Sequence, residues 1–156
     1  MKDLLLAIKA RLQGDTTLGY VRDHDIYITE DEMLIPATVR FPAIAIKDGD
    51  SLYQWETNRG YIRNDHVRIT AYQSILKPEI TIIGSANFTG LLDIIADIFT
   101  SLTNYRELIL TANGGPAFDS VFPINEEASI MYGDEKEMIQ RKTITFGYKR
   151  QKTIPR

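Results

Sequence analysis

The sequence predicts one α+β domain: a mostly antiparallel β-sheet, two main helices packed on one face, and a projecting β-hairpin or loop arm. Three observations lead to this fold class. Residues 88–102 carry apolar side chains at steps of three and four, as in an amphipathic helix. Residues 66–72 alternate apolar and polar side chains, the period of a strand with one buried face. At 156 residues and 44% hydrophobic content, the chain can bury one core.

The remaining elements of the first half follow in order. Lys2 to Gln13 is predicted to form a first amphipathic helix, which Gly14 is well placed to end with a left-handed residue. Short apolar segments at 26–28 and 33–35 are candidate strands. Phe41 to Lys47 is apolar on both faces, which fits a central strand covered by a helix.

The last third is predicted to form a β-hairpin or meander. The alternation from Met138 to Tyr148 becomes apolar only in its second half, so this closing strand is expected to enter the sheet near Ile144. Residues 105–111 are interpreted as a strand, with a short helix as the alternative. Two further candidate strands are Phe118 to Ile124 and Ala128 to Tyr132.

Charge is unevenly distributed along the chain. The formal net charge is −3, but residues 141–156 hold six bases and no acid, which leaves 12 bases against 21 acids elsewhere. An acidic body and a basic C-terminal segment suggest contact between the two, or between neighbouring copies. A solvated and poorly ordered C-terminal tail, residues 149–156, is an equally open alternative.

Composition and motifs argue against several classes of function. The chain has no cysteine and two histidines, so thiol nucleophiles are excluded and histidine chemistry has little to draw on. No apolar run approaches the roughly 20 residues that cross a bilayer. No secretion signal is recognisable, and the chain is expected to stay in the compartment where it is made. Because no catalytic or phosphate-binding motif is present either, the sequence predicts neither an enzyme nor a cofactor.

Two groups of carboxylates are candidate sites. Asp23, His24 and Asp25 are adjacent, and adjacent side chains on an extended chain diverge, so a solvated acidic loop is favoured over a metal site. A small metal-dependent enzyme built on these three residues is a remote alternative. Asp93 and Asp97 lie one helical turn apart, and a solvated helix face is the favoured interpretation.

The projecting segment, residues 51–65, is the strongest interaction candidate. Arg59 and Gly60 are predicted to form the tip of a hairpin. Large amphipathic rings of the kind enriched at protein contacts are found at Tyr53, Trp55 and Tyr61.

Arg59 and Arg63 lie beside these rings in the sequence, which leaves a nucleic-acid-binding module as an alternative. Nucleobases would stack on the rings, and the two arginines would contact phosphates. The acidic body argues against that alternative, because duplex binding needs a basic face. A protein–protein contact is favoured.

The acidic run Glu30, Asp31 and Glu32 precedes Met33. It could offer a negative surface to basic groups or line a channel, but for a single chain a polar turn is the favoured interpretation.

The order of elements resembles that of the tail-terminator (tail-completion) family of long-tailed bacteriophages, lambda-like type. The resembling stretches are MKDLLLAIKARL, LGYV, FPAIAIKDG, HVRITAYQSI, FTGLLDIIADIFTSL and KTITFGYK. Together they cover most of the chain as an order of elements, without an invariant motif.

The resemblance implies an α+β subunit whose copies form a ring, usually of six, on the last ring of tail-tube subunits. Such a ring stops tube polymerisation and presents a surface to the head–tail connector. The expected partners are therefore other copies of the chain, the tail-tube protein and the connector, while DNA passes through the lumen without specific binding. The expected location is the virion, after assembly in the host cytoplasm. Connector proteins share parts of this architecture, so a head-to-tail connector is the alternative.

A ring with head-to-tail contacts needs two different patches on each subunit. We assign the first patch to the arm, with Tyr53, Trp55, Arg59, Tyr61 and Arg63, and the second to Arg150 and Lys152 of the C-terminal segment. Under the same resemblance, Glu30, Asp31 and Glu32 are expected to face the lumen, where like charge would let DNA slide without sticking.

Overall fold

The computed structural model describes residues 1–57, 60–75, 78–103, 118–132 and 138–153. Its helices are α1 (Lys2–Gly14), α2 (Pro78–Ile83) and α3 (Leu91–Thr103). Its strands are β1 (Ile26–Ile28), β2 (Ala43–Thr57), β3 (Gly60–Ser74), β4 (Ser120–Glu126), β5 (Ile130–Tyr132) and β6 (Ile139–Thr153). No helix in these ranges is long and apolar enough to cross a membrane.

The strands form one mixed sheet in the order β1-β2-β3-β6-β4, with β5 also paired to β6. Every pair is antiparallel except β1 with β2. Three strands, β2, β3 and β6, are each 15 residues long and form the centre of the sheet. The predicted α+β class with a mostly antiparallel sheet is confirmed.

Helices α1 and α3 cover one face of the sheet. Alternate residues of the central strands, such as Ile46, Ile69 and Phe146, are fully buried beneath them. From α1, Leu4, Ile8 and Leu12 enter the same core, at the three- and four-residue steps that the sequence shows.

The buried stripe of α3 differs from the predicted one, which consists of Phe88, Leu91, Leu92, Ile95, Phe99 and Leu102, widened by Ile94 and Ile98. Ile94 and Ile98 lie at its centre, whereas Leu92 and Phe99 are partly exposed. Phe88 precedes the helix and bridges Ser85 instead. The stripe is shifted because nearly every position of this helix is apolar or small, and only packing decides which of them face the sheet.

A tight turn explains the late start of α3. Gly84 has a φ of +89°, which favours glycine, and a Cβ at Gly90 would lie 2.4 Å from the Gly84 nitrogen. The chain therefore closes on itself before the helix begins at Leu91. At the end of α1, by contrast, Gly14 is the last helical residue and is not left-handed; the extended Asp15 ends the helix, contrary to the prediction.

The opposite face of the sheet is partly covered by the loop between β1 and β2. Ala43, Ala45 and Tyr72 are buried against Val39 and Phe41. This loop explains why β2 begins with residues that are apolar on both faces, as the sequence indicates. The predicted strand at 33–35 is wrong, because these residues belong to the covering loop.

Strand limits also differ from those predicted. The closing strand pairs with β3 from Ile139 onward, not from near Ile144, because polar side chains on its first half do not prevent backbone pairing. It continues to Thr153, so residues 149–153 belong to the sheet and are not a separate tail. The predicted strand at 105–111 and residues 154–156 lie outside the described residues.

Candidate interaction surface

The arm consists of residues 51–57 of β2, 60–65 of β3 and 149–153 of β6. Gly60 pairs with Thr57 and is the first residue of β3, so its predicted place at the hairpin tip is wrong, and Arg59 lies outside the described residues. Gly60 in turn pairs with Thr153. None of the arm side chains that the structure describes belongs to the main apolar core. The predicted projecting hairpin is thus a three-stranded extension of the sheet, and its third strand comes from the C-terminal segment.

Three aromatic rings meet on one face of the arm. The Tyr61 ring lies at the centre, with centroid distances of 5.6 Å to Tyr53 and 5.3 Å to Trp55. Trp55 is opposite Tyr61 across the two strands, and Tyr53 is opposite Arg63, so all four share a face. The side chains of Tyr53 and Trp55 are 57% and 64% exposed. Large rings left this exposed are typical of a contact surface.

An ion cluster around the buried Asp65 lies beside the rings, on the same face of β3. Asp65 is fully buried and accepts hydrogen bonds from Ser51 Oγ at 2.6 Å, Arg63 Nε at 2.7 Å and Arg150 Nη2 at 3.3 Å. Burial raises the pKa of Asp65, but these hydrogen bonds and the two guanidinium charges outweigh it, and its pKa is lowered. One carboxylate shared by two guanidinium groups leaves a net positive charge beside the rings.

Both arginines also contact aromatic rings. Arg63 lies 5.5 Å from the centre of the Tyr53 ring, and Arg150 lies 5.5 Å from that of Phe118. Phe118 packs on Tyr148 at the edge of the core. These contacts fix the cluster between the core and the exposed rings.

The structure thus brings together residues that the sequence assigned to two patches. Tyr53, Trp55, Tyr61 and Arg63 share one surface with Arg150, which is opposite Arg63 in the sheet. The Lys152 backbone pairs with Tyr61. Its side chain, and the whole of Arg59, lie outside the described part.

The other face of the arm holds a shallow pocket of about 590 Å³ that the sequence did not indicate. Leu52 and Ile62 form its apolar side, and Phe122 closes it. Gly147 makes room for the Phe122 ring, since a Cβ there would lie 2.7 Å from it. The two faces of the arm therefore differ: one carries stacked rings over a cationic cluster, the other a shallow groove.

The acidic run is divided by the fold. Glu30 and Asp31 are exposed, but Glu32 is buried and forms hydrogen bonds with Arg68 and with Arg141 Nη1, the latter at 3.4 Å. The hydrogen bond from Arg68 lowers the pKa of Glu32. The expectation that all three acids offer a free negative surface is wrong for Glu32, since the carboxylate is neutralised inside the protein.

We call residues 29–35 the acidic loop. Met33 N donates to Asp31 Oδ1 at 2.8 Å, and Leu34 N donates to Asp31 O at 3.1 Å. Tyr72 donates from its hydroxyl to the Glu32 carbonyl at 2.5 Å. Met33 and Leu34 nevertheless stay 49% and 61% exposed. The loop is held at its centre and presents two apolar side chains beside two acids.

Two of the carboxylates weighed in the sequence, Asp25 and Asp97, have structural partners. Asp25 is buried, binds the Arg22 guanidinium at 2.7 Å and accepts from the Arg40 backbone N–H at 3.0 Å, which fixes the covering loop. Asp97 is not simply solvated, because it accepts a hydrogen bond from the Tyr20 hydroxyl at 2.7 Å. Among the described residues, no group of three His, Asp or Glu side chains could hold a metal ion.

The fold and this surface define the chain as an α+β domain with an exposed aromatic arm. No protein-family model matches the sequence, and no curated protein is significantly similar to it.

Proposed function

We propose that the chain is a structural virion-assembly protein that caps the phage tail tube as a homo-oligomeric ring, with six copies expected, and joins the tube to the head. The observation that carries this proposal is the arm, a preorganised sheet extension on which Tyr53 and Trp55 stay more than half exposed. The order of elements that resembles tail terminators supplies the biological setting.

The energetics of the arm favour a binding role. Removing exposed Trp and Tyr side chains from water stabilises a complex by about 25 cal/mol per Å² of apolar surface buried. The arm loses little conformational freedom on binding, because its three strands are paired and its base is held by the Asp65 cluster. A rigid surface with ring side chains is suited to repeated contacts between proteins.

The arrangement is less suited to duplex DNA. Arg63 and Arg150 are already hydrogen bonded to Asp65, so they are not free phosphate contacts. This favours a protein partner over the nucleic-acid alternative.

A tube-capping assay tests the proposal. Purified tail tubes with free tube subunits would be mixed with the protein, and tube length measured by electron microscopy. We expect growth to stop with the wild type and to continue with Trp55→Ala. Ile83→Ala, which also truncates an exposed apolar side chain but lies on α2, serves as the matched control and should cap normally.

Tubes that keep growing at saturating wild-type protein would reject the terminator role. If the protein instead bound filled heads while tube growth continued, the head-to-tail connector role would replace it.

A further inference from the structure

We propose that the arm of one copy docks on the acidic loop of the neighbouring copy, with Tyr53 and Trp55 against Met33 and Leu34. This inference rests on the proposed ring and identifies the two surfaces that form it. It assigns Glu30 and Asp31 to the contact between subunits rather than to the lumen.

The apolar parts of the two surfaces are complementary. Tyr53 and Trp55 project from the arm, and Met33 and Leu34 project from the loop, each about half exposed or more. Flexible thioether side chains make favourable contacts with aromatic rings. Contact between these patches would cover exposed side chains on both copies at once.

The charges of the two surfaces are opposite. Two guanidinium groups around the single carboxylate of Asp65 leave the arm cationic beside its rings. On the loop, neither Glu30 nor Asp31 forms an ion pair within the described part of the chain. Docking therefore brings an unpaired negative patch to an excess positive charge, which favours this pairing over contact between two arms.

Both surfaces are formed before they meet. The ion pairs of Glu32 with Arg68 and Arg141 hold the loop on the sheet, as the Asp65 cluster holds the arm. Little ordering is required on contact, which lowers the entropic cost of association.

The two surfaces also face opposite sides of the sheet. Tyr61 and Arg63 are in phase along β3 with Val67 and Ile69, which lie under the helices. The acidic loop instead contacts Arg68 and Tyr72, whose side chains point to the other face. A front surface that binds a back surface gives a head-to-tail contact, and copies joined in this way form a ring when the rotation between neighbours closes.

Engineered cysteines test the contact, because the chain has none of its own. Leu34→Cys would be mixed with Tyr53→Cys under mild oxidation, and linked dimers counted by mass spectrometry. The control partner is Leu52→Cys, 53% exposed and on the opposite face of the arm. We expect the Tyr53→Cys mixture to give on the order of tenfold more linked dimer than the Leu52→Cys mixture, as proximity raises the effective thiol concentration.

Equal linking by the two arm cysteines would overturn the inference, and so would linking mainly between two Tyr53→Cys arms. A double Leu34→Cys, Tyr53→Cys chain should give a ladder of linked oligomers, and its failure to do so counts against the contact. The proposed function is tested separately. Tube capping without this cross-link would reject only the proposed contact, whereas the cross-link without tube capping would reject only the proposed function.

Discussion

The body and the arm are built from the same three strands, β2, β3 and β6, yet they are stabilised in different ways. In the body, Ile46, Ile69 and Phe146 are fully buried under helices. In the arm, β3 and β6 keep their register while β2 shifts at a bulge after Asp48. No helix of the described residues covers these strands, and Trp55 and Tyr53 remain largely exposed. Backbone pairing alone therefore does not make a core; covering one face of the strands does.

Two similar ion clusters show how this sheet holds charged residues. Each has one buried carboxylate, Glu32 or Asp65, shared by two arginines. Glu32 fixes a loop on the back of the body, and Asp65 fixes the base of the arm on the front. Where the helices do not cover the sheet, ion pairs between side chains hold the backbone in position.

Truncating a body ring should have the largest effect. Phe146→Ala removes a fully buried side chain and leaves a cavity in the main core, so we expect a loss of about 3–5 kcal/mol in the free energy of unfolding. Urea denaturation followed by far-UV circular dichroism measures it. A loss below about 1 kcal/mol would show that the body is packed no better than the arm.

Removing the charge at the arm base should come next. Asp65→Asn leaves two partly buried guanidinium groups without a carboxylate, and we expect a loss of about 3 kcal/mol. The control, Asp48→Asn, changes an exposed carboxylate and should stay within about 0.5 kcal/mol of wild type. Urea midpoints of both variants measure the effect. A loss for Asp65→Asn as small as that for Asp48→Asn would mean that Asp65 does not stabilise the fold.

Lowering the pH should reduce the difference in stability between wild type and Asp65→Asn. The folded-state pKa of Asp65 lies below its unfolded value of about 3.9, so its contribution is present above that pH and is lost as pH falls through the folded pKa. Urea midpoints at pH 7 and pH 3 should converge at the lower pH. A gap that stays constant would mean that the pKa of Asp65 is the same in the folded and unfolded states.

The bulge between body and arm offers a smaller test. A Cβ on Gly49 would lie 2.9 Å from the His66 carbonyl oxygen, so Gly49→Ala should cost about 1–3 kcal/mol by overpacking. Gly14→Ala has no heavy atom within 4 Å and should be neutral or stabilise α1 by up to about 1 kcal/mol. Thermal denaturation measures both variants. A lower melting temperature for Gly49→Ala and an unchanged or higher one for Gly14→Ala would support a crowded site at Gly49 and an open one at Gly14.

The smallest effect on folding is expected at the arm surface. Trp55→Ala removes a ring that is 64% exposed and one ring contact, so the loss should be about 1 kcal/mol or less. Circular dichroism on dilute protein measures it. A loss as large as that of Phe146→Ala would mean that the ring is part of the fold rather than a surface for a partner.

Local periodicity alone predicted several elements. The helix at α1, the strand at Ile26–Ile28 and the central strands follow from side-chain spacing, because an element that buries one face repeats with its own geometry. Asp65 carried a signal that was missed: it lies in phase with Val67 and Ile69, and an acid at a core position indicates a buried ion pair.

Tertiary structure alone decided the rest. The sequence determined an α+β domain and placed rings and bases near one another along the chain. It could not show that β6 continues into the arm, that Arg150 meets Arg63, or that Glu32 turns inward while Glu30 and Asp31 stay out. Those facts depend on contacts between residues up to about a hundred positions apart, such as Glu32 and Arg141, and local side-chain preferences carry no information about such pairs.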